Sequence, residues 1–170
     1  MSINILKGVV ILTVTSNIKW KSLLINIAIP VSVGILSAII TGSGFDTYSQ
    51  IVQPPLSPPP IVFPIVWSIL YILMGISSYL IVQQTEDLRT NKALVVYAIQ
   101  LAVNFFWPVF FFGLKAYLFS FIWIILLIAA IITMTVLYYR QNKVAAYLQI
   151  PYILWTIFAA YLNLGVYILN

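Results

Sequence analysis

Few side chains in this sequence could do chemistry, and those present point away from metal or acid–base catalysis. There is no Cys and no His, which removes the commonest zinc, copper and iron–sulfur ligands along with Cys/His nucleophiles. The three carboxylates, Asp46, Glu86 and Asp87, fall in predicted loops and not inside apolar stretches, where a proton relay or ion site would place them. What remains is aromatic rings and amides at helical spacing. One set is Phe63, Trp67, Tyr71, Met74 and Ser78; a second is Tyr97, Gln100, Asn104, Trp107 and Phe111; a third is Tyr152, Trp155, Ala159 and Asn163. Steps of three and four residues put each set on one helical face, and the three faces are expected to converge on one void.

A void lined by indole, phenol and phenyl rings suits a large, flat, apolar ligand, because rings stack on its faces while amides orient its polar edge. Porphyrins and sterols both fit. Without His or Cys, a haem-type iron would find only Tyr or Met as axial ligand, so contact is expected through the macrocycle. No metal site and no required cofactor are expected. The same residues have plainer uses. Gln100, Asn104 or Asn163 could each be interhelical glue, worth about 1 kcal/mol per hydrogen bond. For Trp20, Trp123, Tyr138 and Tyr139 the expected role is in the aromatic belt at the membrane–water interface, whereas Trp67 and Trp155 lie deeper along their faces.

The elements that must hold these faces are membrane helices. Of the 170 residues, 63% are hydrophobic and 6% charged, leaving a water-soluble fold no surface. A spanning helix needs about 20 apolar residues, and the apolar runs predict spans at about 23–41, 61–82, 93–112, 117–138 and 144–169. On the first, Asn26, Pro30, Gly34 and Ser37 share the face expected to look inward. Residues 42–60 form a Pro-rich connection, read as an ordered, extended lid. Residues 1–22 contain an apolar patch, Val9 to Val14, too short to span and without a signal-peptide cleavage site, and are read as a cytoplasmic extension. The fold class is therefore all-α, a five-helix membrane bundle.

Lys and Arg cluster before the first span (Lys7, Lys19, Lys21), between the second and third (Arg89, Lys92) and between the fourth and fifth (Arg140, Lys143). Only Lys115 lies on the other side. By the positive-inside rule the N-terminus is cytoplasmic and the C-terminus and lid are outside. The basic residues form no stripe, so nucleic acid is not an expected partner. Ala98 and Ala102 on the third span are a candidate seam for a homodimer, and Val136 to Arg140 satisfies a loose sterol-contact pattern that interface anchoring explains equally well.

The run Pro58-Pro59-Pro60-Ile61-Val62-Phe63-Pro64-Ile65-Val66-Trp67, continuing to Tyr71, Met74 and Gly75, resembles the loop and second helix of the translocator protein or tryptophan-rich sensory protein family (TspO/MBR). Asn104-Phe105-Phe106-Trp107-Pro108, on to Gly113, is similar to its third helix, and Pro151-Tyr152, through Trp155 and Ala159, to Asn163 is similar to its fifth. The resemblance covers about Leu23 to the end of the chain. It implies a five-helix bundle, often dimeric, whose pocket lies beneath the loop after the first helix and takes porphyrins, sterols and benzodiazepine-type drugs. Residue by residue it implies ligand contacts at Trp67, Trp155, Asn104, Tyr48, Pro58, Pro59 and Ala159. Thr47 stands where the family usually has Trp, and Gln53-Pro54-Pro55-Leu56 where it has Lys-Pro-x-Trp, so a weaker grip on porphyrin carboxylates is implied. No basic sterol-recognition segment follows Asn163, and the bacterial type of member, in a cytoplasmic membrane, is the closer match. The expected function is a translocator or sensor that binds tetrapyrroles. The alternative is an enzyme promoting oxidative or light-dependent porphyrin degradation, with Trp67 and Trp155 as catalytic candidates.

Overall fold

The computed structural model describes residues 4–6, 9–11, 18–42, 44–84 and 88–170. Backbone groups in lipid have no water to bond, so a spanning segment must satisfy them internally. Among the described residues five helices are long and apolar enough to cross a membrane: Trp20–Thr41, Val62–Val82, Lys92–Gly113, Tyr117–Tyr139 and Lys143–Leu169. In chain order the elements are β1 (Asn4–Leu6) and β2 (Val9–Ile11), a short antiparallel pair, then α1 (Trp20–Thr41), α2 (Phe45–Gln50), α3 (Val62–Val82) and α4 (Leu88–Pro108). A π-turn (Val109–Gly113) extends α4 and is followed by α5 (Tyr117–Tyr139), α6 (Lys143–Tyr147) and α7 (Ile150–Leu169). Lys7, Glu86, Asp87 and the end of the Val9–Val14 patch lie outside the described residues.

The helices pack as a closed bundle, α1 against α3 and α4, α4 against α5, and α5 against α7. Two glycines bring α1 and α3 together. A Cβ on Gly75 would collide with the backbone of Ile27 and Asn26, and one on Gly34 with the ring of Tyr71. Polar contacts fix the register: Ser78 Oγ donates to Asn26 Oδ1 (3.0 Å), Ser37 Oγ to the Phe105 carbonyl (3.0 Å) and Trp123 Nε1 to the Val103 carbonyl (2.8 Å). Met74, Ile81, Ile131 and Met134 fill the centre, while Leu24, Ile39, Ile122 and Leu154 project outward. An apolar outer surface on an apolar core is the pattern of a bundle whose solvent is lipid.

The structure departs from the sequence expectations in five places. α1 starts at Trp20, a turn earlier than the apolar run suggests. The lid is not extended throughout, because Phe45–Gln50, which precedes its prolines, forms α2. The third span ends in a π-turn, closed by Leu114 N–H to Val109 O (2.9 Å); it follows Pro108, which cannot donate to the turn before it. The fifth span is broken between Tyr147 and Ile150, and Pro151 opens its second segment, where a missing N–H is best tolerated. Finally, Tyr138 is not a belt residue. Tyr138 is fully buried in the core, whereas Trp20, 64% exposed, and Tyr139 do face outward, and Trp123 is tied to α4.

The lid is latched at several points. Tyr48 Oη donates to the Pro58 carbonyl (2.9 Å), Tyr161 Oη to the Pro55 carbonyl (3.0 Å), and Asn170 pairs with both backbone groups of Val52, at 2.9 Å and 3.0 Å. Pro54 rests directly on Gly165, where a Cβ would meet it. Burial pushes the Tyr48 hydroxyl above its usual value of 10, with a hydrogen bond from Ser57 opposing.

Gly75→Ala should destabilise the bundle by about 1–3 kcal/mol through overpacking, read as a lower unfolding temperature in detergent. Gly113→Ala, with only Val109 nearby at 3.9 Å, should stay within about 0.5 kcal/mol of the parent. The Tyr48 latch should be insensitive to pH up to the ordinary tyrosine range and loosen only as pH rises above it, since only the unlatched chain ionises readily there. A spin label at exposed position Gln50 should gain mobility over that alkaline window in the parent and show no such step in Tyr48→Phe.

Candidate functional site

A cavity of about 430 Å³ lies under the lid between α1, α3 and α4. α1 contributes its small face, Gly34, Ser37, Ala38 and Thr41, and so leaves room instead of filling it. α3 supplies Phe63, Trp67 and Tyr71, α4 supplies Asn104, Trp107 and Pro108, and Phe112 enters from the π-turn. Gly44, Tyr48 and Pro60 close the top. The exposed lining residues, Ile35 and Ala38 on α1 and Pro64, Ser68 and Ile72 on α3, mark a mouth between those two helices.

The rings are held by one another. Trp67 lies against Tyr71 (5.6 Å between centroids) and edge-on to Tyr152 (6.0 Å), and Phe63 stands edge-on to Tyr48 (5.1 Å) and Trp155 (5.9 Å). Polar groups are sparse and oriented. Tyr71 Oη donates to Asn104 Oδ1 (2.9 Å) and Asn104 Nδ2 donates to Tyr152 Oη (3.1 Å), which in turn donates to Gln100 Oε1 (3.0 Å). Tyr71 keeps an acceptor lone pair and Asn104 a second N–H, so a ligand could present either a donor or an acceptor at this wall. Among the described residues no group of three His, Cys, Asp or Glu could hold a metal.

Of the residues singled out by sequence, Tyr48, Phe63, Trp67, Tyr71, Asn104 and Trp107 line the main cavity. Phe111, Ala159 and Asn163 do not; they border a much smaller void behind it, and the two spaces share the rings of Tyr48, Phe63, Trp107 and Phe112 as a partition. Asn163 ties helices together, accepting from Trp107 Nε1 (3.1 Å) and donating to the Tyr117 carbonyl (2.8 Å). Pro58, Pro59, Gln100, Tyr152 and Trp155 border neither space. Pro58 receives the Tyr48 latch, Pro59 is exposed, Gln100 and Tyr152 continue the hydrogen-bond chain, and Trp155 sits behind Phe63. The expected three-helix convergence is thus realised with α1 in place of α7 as the third wall of the main cavity. The small-residue face of α1 carried that signal, but the rings of α7 outweighed it. Phe112 was legible only through Pro108, which sets up the π-turn that swings it inward.

Comparison with known proteins agrees with this architecture. Residues 26–169 match the TspO/MBR family. The chain is 36% identical to the tryptophan-rich protein TspO of Chlorobaculum tepidum over 124 residues, covering 72% of this chain and 78% of that one. It is 32% identical to the protein of the same name from Archaeoglobus fulgidus, over 82% of this chain and 90% of that one. It is 35% identical to human translocator protein, over 75% and 76%. With five apolar helices, a matching family signature and these relatives, the chain is an integral membrane protein of the TspO/MBR family.

Proposed function

We propose that the chain binds tetrapyrroles and comparably flat, apolar molecules in the cavity beneath the lid, and acts in the membrane as a sensor or translocator for them. The observation that supports this reading is the cavity wall itself: six aromatic side chains, Tyr48, Phe63, Trp67, Tyr71, Trp107 and Phe112, with Asn104 and the Tyr71 hydroxyl as polar anchors. Stacking on such rings recognises a flat face, and the anchors recognise a ring nitrogen or carbonyl at its edge. The lid, residues 42–60, has no Lys or Arg, so it offers porphyrin carboxylates no cationic partner. In this reading the lid faces outward, the N-terminus is cytoplasmic, and the exposed Ala98 and Ala102 are available for pairing with a second copy. A sterol fits the apolar wall but lacks the flat π-face that the rings favour.

Titration of protoporphyrin into the protein in detergent, followed by Trp quenching, tests the assignment. Trp67→Ala should weaken binding about tenfold, the equivalent of about 1.4 kcal/mol, and Ala38→Trp should block the mouth. Trp155→Phe, one ring removed from the cavity, should change affinity less than Trp67→Ala. Raising the salt concentration should alter affinity little, for want of a basic lid. Saturable binding that survives both Trp67→Ala and Ala38→Trp unchanged would place the ligand elsewhere.

A further inference from the structure

The one-way hydrogen-bond chain that begins on the cavity wall does not end in a closed contact. It runs from Tyr71 through Asn104 and Tyr152 to Gln100, and Gln100 Nε2 at its far end is a buried donor with no partner among the described residues. Four further polar atoms share that condition in the half of the bundle away from the lid: Tyr97 Oη, Tyr138 Oη, and both Nε2 and Oε1 of Gln149. Gln100, Tyr138 and Gln149 are 0% exposed and Tyr97 is 7% exposed.

Register and hydrogen bonds tie these groups to neighbouring turns of α4, α5 and the start of α7. Tyr97 lies one turn from Gln100 on α4, and Gln149 one turn from Tyr152, whose hydroxyl touches Gln100 at 3.0 Å. Tyr138 lies one turn from Gln141, which receives a hydrogen bond from Thr90 on the Tyr97 face of α4 (3.0 Å). Ser78 lies alongside Tyr97 and donates its own hydroxyl to Asn26 Oδ1 (3.0 Å) and the Gly75 carbonyl (3.1 Å). Gln149 occupies the break between α6 and α7, and irregular backbone at membrane depth is tolerated where it meets protein or a water-filled space.

We propose that this centre is an internal water site, in which a small cluster of ordered water bonds to Gln100, Tyr97, Tyr138 and Gln149. The donor set selects the ligand. It mixes phenol and amide donors with an amide acceptor, which suits a molecule that both donates and accepts. None of the four groups is charged, so an ion would be buried uncompensated. Met74, Ile81, Met134 and Ala145, each 0% exposed, belong to the same core. Hydrated in this way, the chain from the cavity wall continues to the interrupted fifth span. The site depends on the fold alone and stands whatever the cavity binds.

Water-to-protein polarisation transfer by solid-state NMR on the full chain in lipid bilayers should show contact between bound water and the Gln149 side-chain amide, lost in Gln149→Leu. In the same membranes, Tyr138→Phe and Tyr97→Phe, which each delete one oxygen, should lower the unfolding temperature by about 2–4 °C. An unchanged or raised unfolding temperature for both Phe variants would mean the groups are dry and unpaired, and would overturn the proposal. A lowered temperature without water transfer to Gln149 would mean that the side chains bond one another directly, which also overturns it. Should Gln149→Leu fail to fold, transfer in the parent and its loss at the ring of the Phe variants decide the matter.

Discussion

The close approach of α1 to α3 at Gly75 and Gly34 governs the geometry of everything above it. Lipid tails are as apolar as leucine, so helices in a bilayer gain little from hiding apolar surface from one another, and packing and polar contacts must hold them. Gly75 lets the backbone of Ile27 come in without a Cβ between them, and Gly34 receives the ring of Tyr71 in the same way. With the two helices fixed there, the small side chains of α1 beyond Gly34 cannot fill the space toward the lid. The cavity is the consequence of that unfilled stretch.

Its walls are stabilised by the same economy. Tyr71 is at once the ring that packs on Gly34, a stacking surface beside Trp67 and the first donor of the chain that passes through Asn104 to Tyr152. Glue and binding surface are therefore not alternatives for these residues. Asn104 ties three helices together through its two hydrogen bonds and still presents its remaining N–H at the cavity wall. Asn163 uses both ends of its amide in the same way, on Trp107 and Tyr117, but away from the main cavity, where it holds the indole of Trp107 in the partition.

The lid follows a different rule, because its prolines remove backbone donors and leave carbonyls to be satisfied from elsewhere. Tyrosine hydroxyls from inside and outside the lid supply donors to Pro58 and Pro55, and the Asn170 amide pairs with Val52 as a strand neighbour would. α7 thereby holds the lid, although its own rings stand behind the main cavity.

How much of this was legible follows from what local pattern can encode. Hydropathy and charge determined that the chain crosses a membrane as a five-helix bundle, because apolar length and backbone satisfaction are properties of each segment alone. Helical spacing likewise determined that Tyr71, Asn104, Gln100 and Asn163 face inward, since a polar group facing lipid is costly wherever it lies. Motif order across three helices determined the family. Relations between segments were not available in that way. Whether α1 or α7 forms the third wall depends on which helix carries glycine opposite a ring. The burial of Tyr138, which spacing near a span end placed in the interface, depends on how far α5 sits from the bundle end. Partition and cavity are separated by rings of comparable size from α3, α4 and the π-turn, and only their mutual packing, set by all five helices together, decided which space each one faces.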